Sequence, residues 1–170
     1  MPREYRIGSD EAQEIAHDLQ NKHHTHLSTQ RVEVVFLTEA AKSKGRDLWG
    51  RSRVVSGLPA FFASYDVNSK EPFKPQSFFV IEISESIWNA ITIEQKRALL
   101  DHCLSFCEVQ ESEKGTALKI VSPDVAEFGA VIERNGLWYE EIQKFAEIAA
   151  GAQGKLFDQP KARKLRVAAD

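Results

Sequence analysis

Residues Ser77 to Ser84 read SFFVIEIS, a run that is nearly all apolar at its centre. Such a run is predicted to be a buried strand, which needs a packed core around it. A long helix is expected soon afterwards. Thr92 can cap the segment IEQKRALLDHCLSFCEV as far as Val109, with Gln95 in the capping-box position. Ala98, Leu99, Cys103, Phe106 and Cys107 then define one apolar stripe along it.

The rest of the chain supplies further elements. Ser9 to Asn21 has Ala12, Ile15, Ala16 and Leu19 at helical spacing behind a Ser9 or Asp10 cap. The polar stretch NKHHTHLSTQ follows, and then Arg31 to Leu37, whose β-branched density predicts a strand. EAAKSKGRDLWG reads as a charged loop or hairpin arm. SRVVSGLPAFFASYDV reads as a strand bent at Gly57 and Pro59. Beyond Gly115, placed in a loop, Pro123 suits the first turn of a helix PDVAEFGAVIERN, which Asn135-Gly136 would end. Tyr139 to Ala150 makes a last helix. The expected fold is α+β: an N-terminal helix on a three- or four-stranded twisted sheet, the Thr92–Val109 helix packed beneath, and C-terminal helices beyond. Residues 1–150 are read as one domain and 151–170 as a basic tail, mobile or bound to a partner.

The 170 residues carry a formal charge of −3, which argues against general nucleic-acid affinity. Local basic stretches are the exception, and Trp49, Arg51, Arg53, Lys161, Arg163 and Lys164 are the candidate interaction surface. Cys103 and Cys107, four apart on one helix, do not suit a disulfide and are expected to be reduced core thiols. No apolar run is long enough to span a bilayer, and MPREYRIGSDEAQEIA has no hydrophobic signal core. A cytoplasmic setting is therefore expected, with no membrane partner.

LLDHCLSFCEV invites a chemical reading. In the spacing H-E-x-x-H on a helix, two His bind zinc and the Glu acts as general base on the metal-bound water. Here His102 holds the first position, Cys103 the base position and Phe106 the second ligand position. WNAITIEQKRALLDHCLSFCEV together with PDVAEFGAVIERNGLWYEEI resembles the putative phage metallopeptidases, zincin-like proteins. In them a Leu-Leu-Asp-His-Glu-Leu-x-His-Cys run precedes a His-Asp-Val-x-Glu-Phe run and an Arg-His-Gly-Leu-Trp segment. Trp88, Gln95, Arg97, Leu99, Leu100, Asp101, Cys107, Asp124, Val125, Glu127, Phe128, Arg134, Gly136, Leu137 and Trp138 fit that pattern. Pro123 and Asn135 stand where the family has His. SFFVIEISESIW sits where the family places its sheet edge beside the active-site helix. The departures fall on the chemistry and the agreements on the scaffold.

The resemblance implies a small zincin-like domain of phage or prophage origin, working in a bacterial host. The vestigial site comprises His102, Cys103, Phe106, Pro123 and Glu127, with no intact catalytic set and no cofactor expected. The function expected is a catalytically inactive scaffold that binds an unknown host or phage protein, such as a host enzyme or defence complex. Phe106 and Cys103 would fill the former zinc cavity. The competing expectation is a zinc peptidase with rebuilt ligands, His102, Glu127 and Cys103. A nucleic-acid-binding accessory protein is a third, less favoured. His23, His24 and His26 lack a completing ligand nearby in sequence and are read as a solvated linker.

Overall fold

In the computed structural model the apolar run lies at the middle of a sheet. Phe78–Ser84 pairs in parallel with Val32–Leu37 and antiparallel with Gly50–Val55. In chain order the elements are β1 (Tyr5–Ile7), α1 (Asp10–Lys22), a 3-10 turn (Thr25–Leu27), β2 (Val32–Leu37), β3 (Ala41–Ser43), β4 (Arg46–Leu48) and β5 (Gly50–Val55). There follow α2 (Gly57–Ser64), β6 (Phe78–Ser84), α3 (Glu85–Ala90), α4 (Ile93–Ser105), β7 (Cys107–Ser112), β8 (Gly115–Ile120) and α5 (Glu140–Ala152). The structure describes residues 4–43, 45–66, 73–113, 115–123, 134, 137 and 140–152. The chain divides into two compact units, Met1–Pro123 and Asp124–Asp170. The first carries the sheet and α1 to α4, the second α5. No helix among the described residues is long and apolar enough to cross a membrane.

The main sheet has the order β1-β2-β6-β5. Alternation along β2 and β6 sends Val34, Phe36, Phe79, Ile81 and Ile83 to one face, where α1 and α4 cover them. From α1 come Ala12, Ile15, Ala16 and Leu19; from α4 come Leu99, Leu100, Cys103 and Leu104. Each large side chain fully buried in this layer contributes roughly 1.5–3 kcal/mol relative to exposure. Both helices start on good caps. Ser9 Oγ accepts from the Ala12 amide, and Thr92 and Gln95 form a reciprocal capping box. Ion pairs then tie the helices together, Lys96 to Glu11 (2.9 Å) and Arg97 to Asp18 (2.7 Å).

The mixed α+β class and the four-stranded sheet match the sequence reading, but α4 shares the α1 face of the sheet instead of lying beneath it, and several details differ. SFFVIEIS is a central strand; the edge next to α4 is β5. α4 stops at Ser105, and Cys107 to Val109 belong to β7 instead. From Cys107 onward, pairing with β8 replaces further helical bonds, and Gly115 opens β8 at φ 112°, a conformation that favours glycine. The buried stripe on α4 therefore includes Leu100 and Leu104, while Ala98 and Phe106 are only half-buried. The segment after Gly57 is helical (α2), EAAKSKGRDLWG contains the β3–β4 hairpin, and Tyr5–Ile7 adds an edge strand. The last helix runs Glu140–Ala152. The helix expected over PDVAEFGAVIERN and most of the 151–170 tail lie outside the described residues.

Candidate functional site

α4 presents three different environments at three consecutive residues. Asp101 faces the turn after α1, where its Oδ1 accepts from Nε2 of His24 at 2.7 Å. His102 is exposed, and its ring meets the half-buried ring of Phe106 edge to face, centroids 4.9 Å apart. Cys103 points into the core and is 0 % exposed. Successive helical residues differ by about 100° in direction, so the three side chains diverge.

The Cys103 side is closed by β5. A Cβ built on Gly50 would stand 2.9 Å from the Cys103 Sγ, so only glycine lets the strand approach this closely. Ser52 Oγ donates to the Cys103 carbonyl at 2.6 Å, and the Cys107 thiol donates to the same oxygen at 3.7 Å. Burial pushes the Cys103 thiol up to about 12, with the neighbouring Cys107 adding to the shift. Burial likewise raises Cys107 to about 11. Both stay protonated at neutral pH, and neither is poised as a base, nucleophile or ready metal ligand.

The histidine-rich stretch is exposed at His23 and His26, as a solvated linker would be, but not at His24. His24 is buried at 8 % exposure and bonded to Asp101, and His26 Nε2 donates to the Cys107 carbonyl at 3.1 Å. The two rings lie edge to face, 6.0 Å apart, and pin the 3-10 turn to both ends of the α4–β7 junction. Sequence reasoning overlooked this pair because the partners are far apart in the chain. The spacing of HHTH was its only local sign.

Other predicted site residues are scattered. Pro123 is exposed at the end of the first unit. Trp49 is half-exposed, while Arg51 and Arg53 both donate to the buried Glu82 across the β5–β6 pair. Glu127, Lys161, Arg163 and Lys164 lie outside the described residues.

The order of elements, a sheet followed by a capped helix bearing Leu-Leu-Asp-His, now meets a direct comparison. The family model described as putative phage metallopeptidase matches residues 4–150. The chain belongs to this family. No curated protein and no solved structure matches it.

Family membership raises the question of a metal, and the donors that α4 of this phage metallopeptidase-family chain presents among the described residues do not form a ligand set. Phe106 has no lone pair to offer, Cys103 turns its protonated thiol into the core, and His102 faces the other way. Among the described residues, no group of three or more His, Cys, Asp and Glu side chains could hold a metal ion. No step through a metal follows from these residues.

Proposed function

We propose that this family member is catalytically inactive and acts by binding another protein, as a phage or prophage factor in the bacterial cytoplasm that restrains a host enzyme or defence complex. The observation that carries the reading is the placement of Cys103. The position that would hold the general base is occupied by a thiol packed against Gly50 and held neutral by burial. A carboxylate working on a metal-bound water needs a charged oxygen in a cleft, and this residue supplies an uncharged sulfur in a core. Phe106 adds an apolar ring beside His102 where a second imidazole would be required. The scaffold around these positions is meanwhile fully built, with a capping box, inter-helix ion pairs and a continuous core. Selection for surface recognition accounts for a maintained fold around a silent centre.

Elemental analysis of the purified full chain, paired with hydrolysis of a denatured protein substrate, tests this. The expected result is no stoichiometric metal and no cleavage after zinc is added. One tightly held zinc per chain, lost on chelation together with a peptidase activity, would overturn it.

A further inference from the structure

The face of the sheet turned away from α1 and α4 does not read as a solvated face. Strand alternation places Tyr5 and Ile7 of β1, Val35 and Leu37 of β2, Val80 of β6 and Val55 of β5 on that side. β2 and β6 are a parallel pair, and parallel strands are ordinarily covered on both faces. The α1–α4 layer covers one face only. On the other, α2 reaches the Phe78 end, where Arg31 stacks on the Phe78 ring at 4.4 Å and donates to the Ala63 carbonyl at 3.5 Å. Farther along, Leu37 is already buried and Val35, Val55 and Val80 are partly buried, while Ile7 is 86 % exposed and Tyr5 half-exposed.

Between Tyr5 and Pro59 lies a groove of about 420 Å³, with Val35, Val55 and Val80 among its lining residues. Its charged lining residues are Arg53 and Glu82, the latter buried within the sheet. Arg51 Nε donates to one carboxylate oxygen and Arg53 Nη1 to the other, the latter at 3.3 Å. Arg31 pairs with Glu33 at 2.7 Å beside it. Three guanidiniums therefore serve two carboxylates, which leaves an excess of one positive charge on this face among the described residues. Of the two that hold Glu82, Arg53 is the more accessible, its side chain 56 % exposed against 30 % for Arg51. A guanidinium carries five N–H donors, and Glu82 engages only Nη1 of Arg53.

We propose that this groove docks a segment of a partner protein in which an aspartate or glutamate is flanked by apolar residues. The carboxylate takes the outward N–H groups of Arg53 in a charge-assisted contact, and the flanking side chains cover the valines and Tyr5. A cationic segment would meet uncompensated positive charge, and a purely apolar one would desolvate the outward N–H groups of Arg53 without pairing them. The surface lies on the opposite side of the sheet from α4, so the inference goes beyond the reading of α4 and does not depend on that helix being catalytically silent.

The test uses the full chain immobilised against a displayed library of random dodecapeptides, followed by synthesis of the enriched sequences. Enriched peptides are expected to hold one acidic residue between apolar ones. A synthetic peptide should shift the amide resonances of Val55 and Val80 on binding. Arg53→Glu should weaken it at least tenfold, Arg53→Lys less, and Tyr5→Lys and Ile7→Ser, both at exposed positions, should weaken it with circular dichroism unchanged. Enrichment without a carboxylate, binding indifferent to Arg53→Glu and Tyr5→Lys, no enrichment at all, or self-association of the chain through Tyr5 and Ile7 in sedimentation would each overturn the proposal. A peptidase activity discovered in the same preparation would sink the proposed function and leave this surface untouched.

Discussion

His24 and Asp101 stand 77 residues apart in sequence and 2.7 Å apart in space, joining the turn after α1 to the middle of α4. The imidazole is buried while the carboxylate is half-exposed, so the bond anchors a buried ring to a group that water can still reach. Removing the ring is the more costly change, because Asp101 can resolvate. His24→Ala should destabilise the chain by about 1–3 kcal/mol, and Asp101→Ala by less. A double-mutant cycle in urea should give a coupling energy above about 0.5 kcal/mol; additive effects would show that the bond contributes nothing.

Gly50 and Cys103 set how closely β5 approaches α4. Gly50→Ala should destabilise by about 1–3 kcal/mol through overpacking against the sulfur. Adding Cys103→Ala should recover part of the loss, since the clash is with Sγ. Thermal unfolding of the single and double variants checks this; no recovery would locate the strain elsewhere.

The two buried thiols make stability sensitive to alkaline pH. In the unfolded chain each ionises from its ordinary value of 9.0, whereas the fold holds them at about 12 and about 11. The unfolded state therefore releases protons first. Stability is complete below pH 9 and is lost as pH rises from there through the folded values, at no more than about 1.4 kcal/mol per pH unit per thiol. Urea titrations from pH 7 to 10.5 should show the decline, and Cys103→Ala with Cys107→Ala should flatten it.

The positions of His102 and Phe106 predict an asymmetry in attempts to restore the family motif. Phe106→His should give the helix two imidazoles four residues apart on its accessible side and a measurable affinity for zinc by calorimetry. Cys103→Glu should not help. It places a carboxylate at a site with 0 % exposure, facing β5, and should destabilise by several kcal/mol. Equal tolerance of both changes would mean that Cys103 is not in the core.

Much of the fold was legible because it rests on local pattern. The capping box at Thr92 and Gln95, the α1 stripe and the apolar runs of β2 and β6 each announce themselves within a few residues. The end of α4 did not, since Leu99 to Val109 fits a helical stripe and only the β7–β8 pairing decides otherwise. The bonds of His24 and His26 were missed for the same reason: their partners Asp101 and Cys107 come together only after the helices have packed. At the site, the identities of Cys103 and Phe106 were readable, but their opposite orientations were not. A residue letter states what chemistry is available, while the direction of its side chain depends on which neighbour the helix has found.

The parallel pairing of β2 with β6 also dictates an order of assembly during synthesis. Val32–Leu37 meets Phe78–Ser84 directly, so everything between them is an excursion from the sheet's centre. While the chain grows from the ribosome, β1, α1 and β2 must wait with their apolar faces uncovered until Ser84 has emerged. Only then can the central ladder close, and α4 arrives later still. Non-local pairings of this kind are slow to form and leave sticky intermediates. The interval between translating Leu37 and translating Ser105 is thus the period in which the growing chain leaves its central strands without their full set of neighbours.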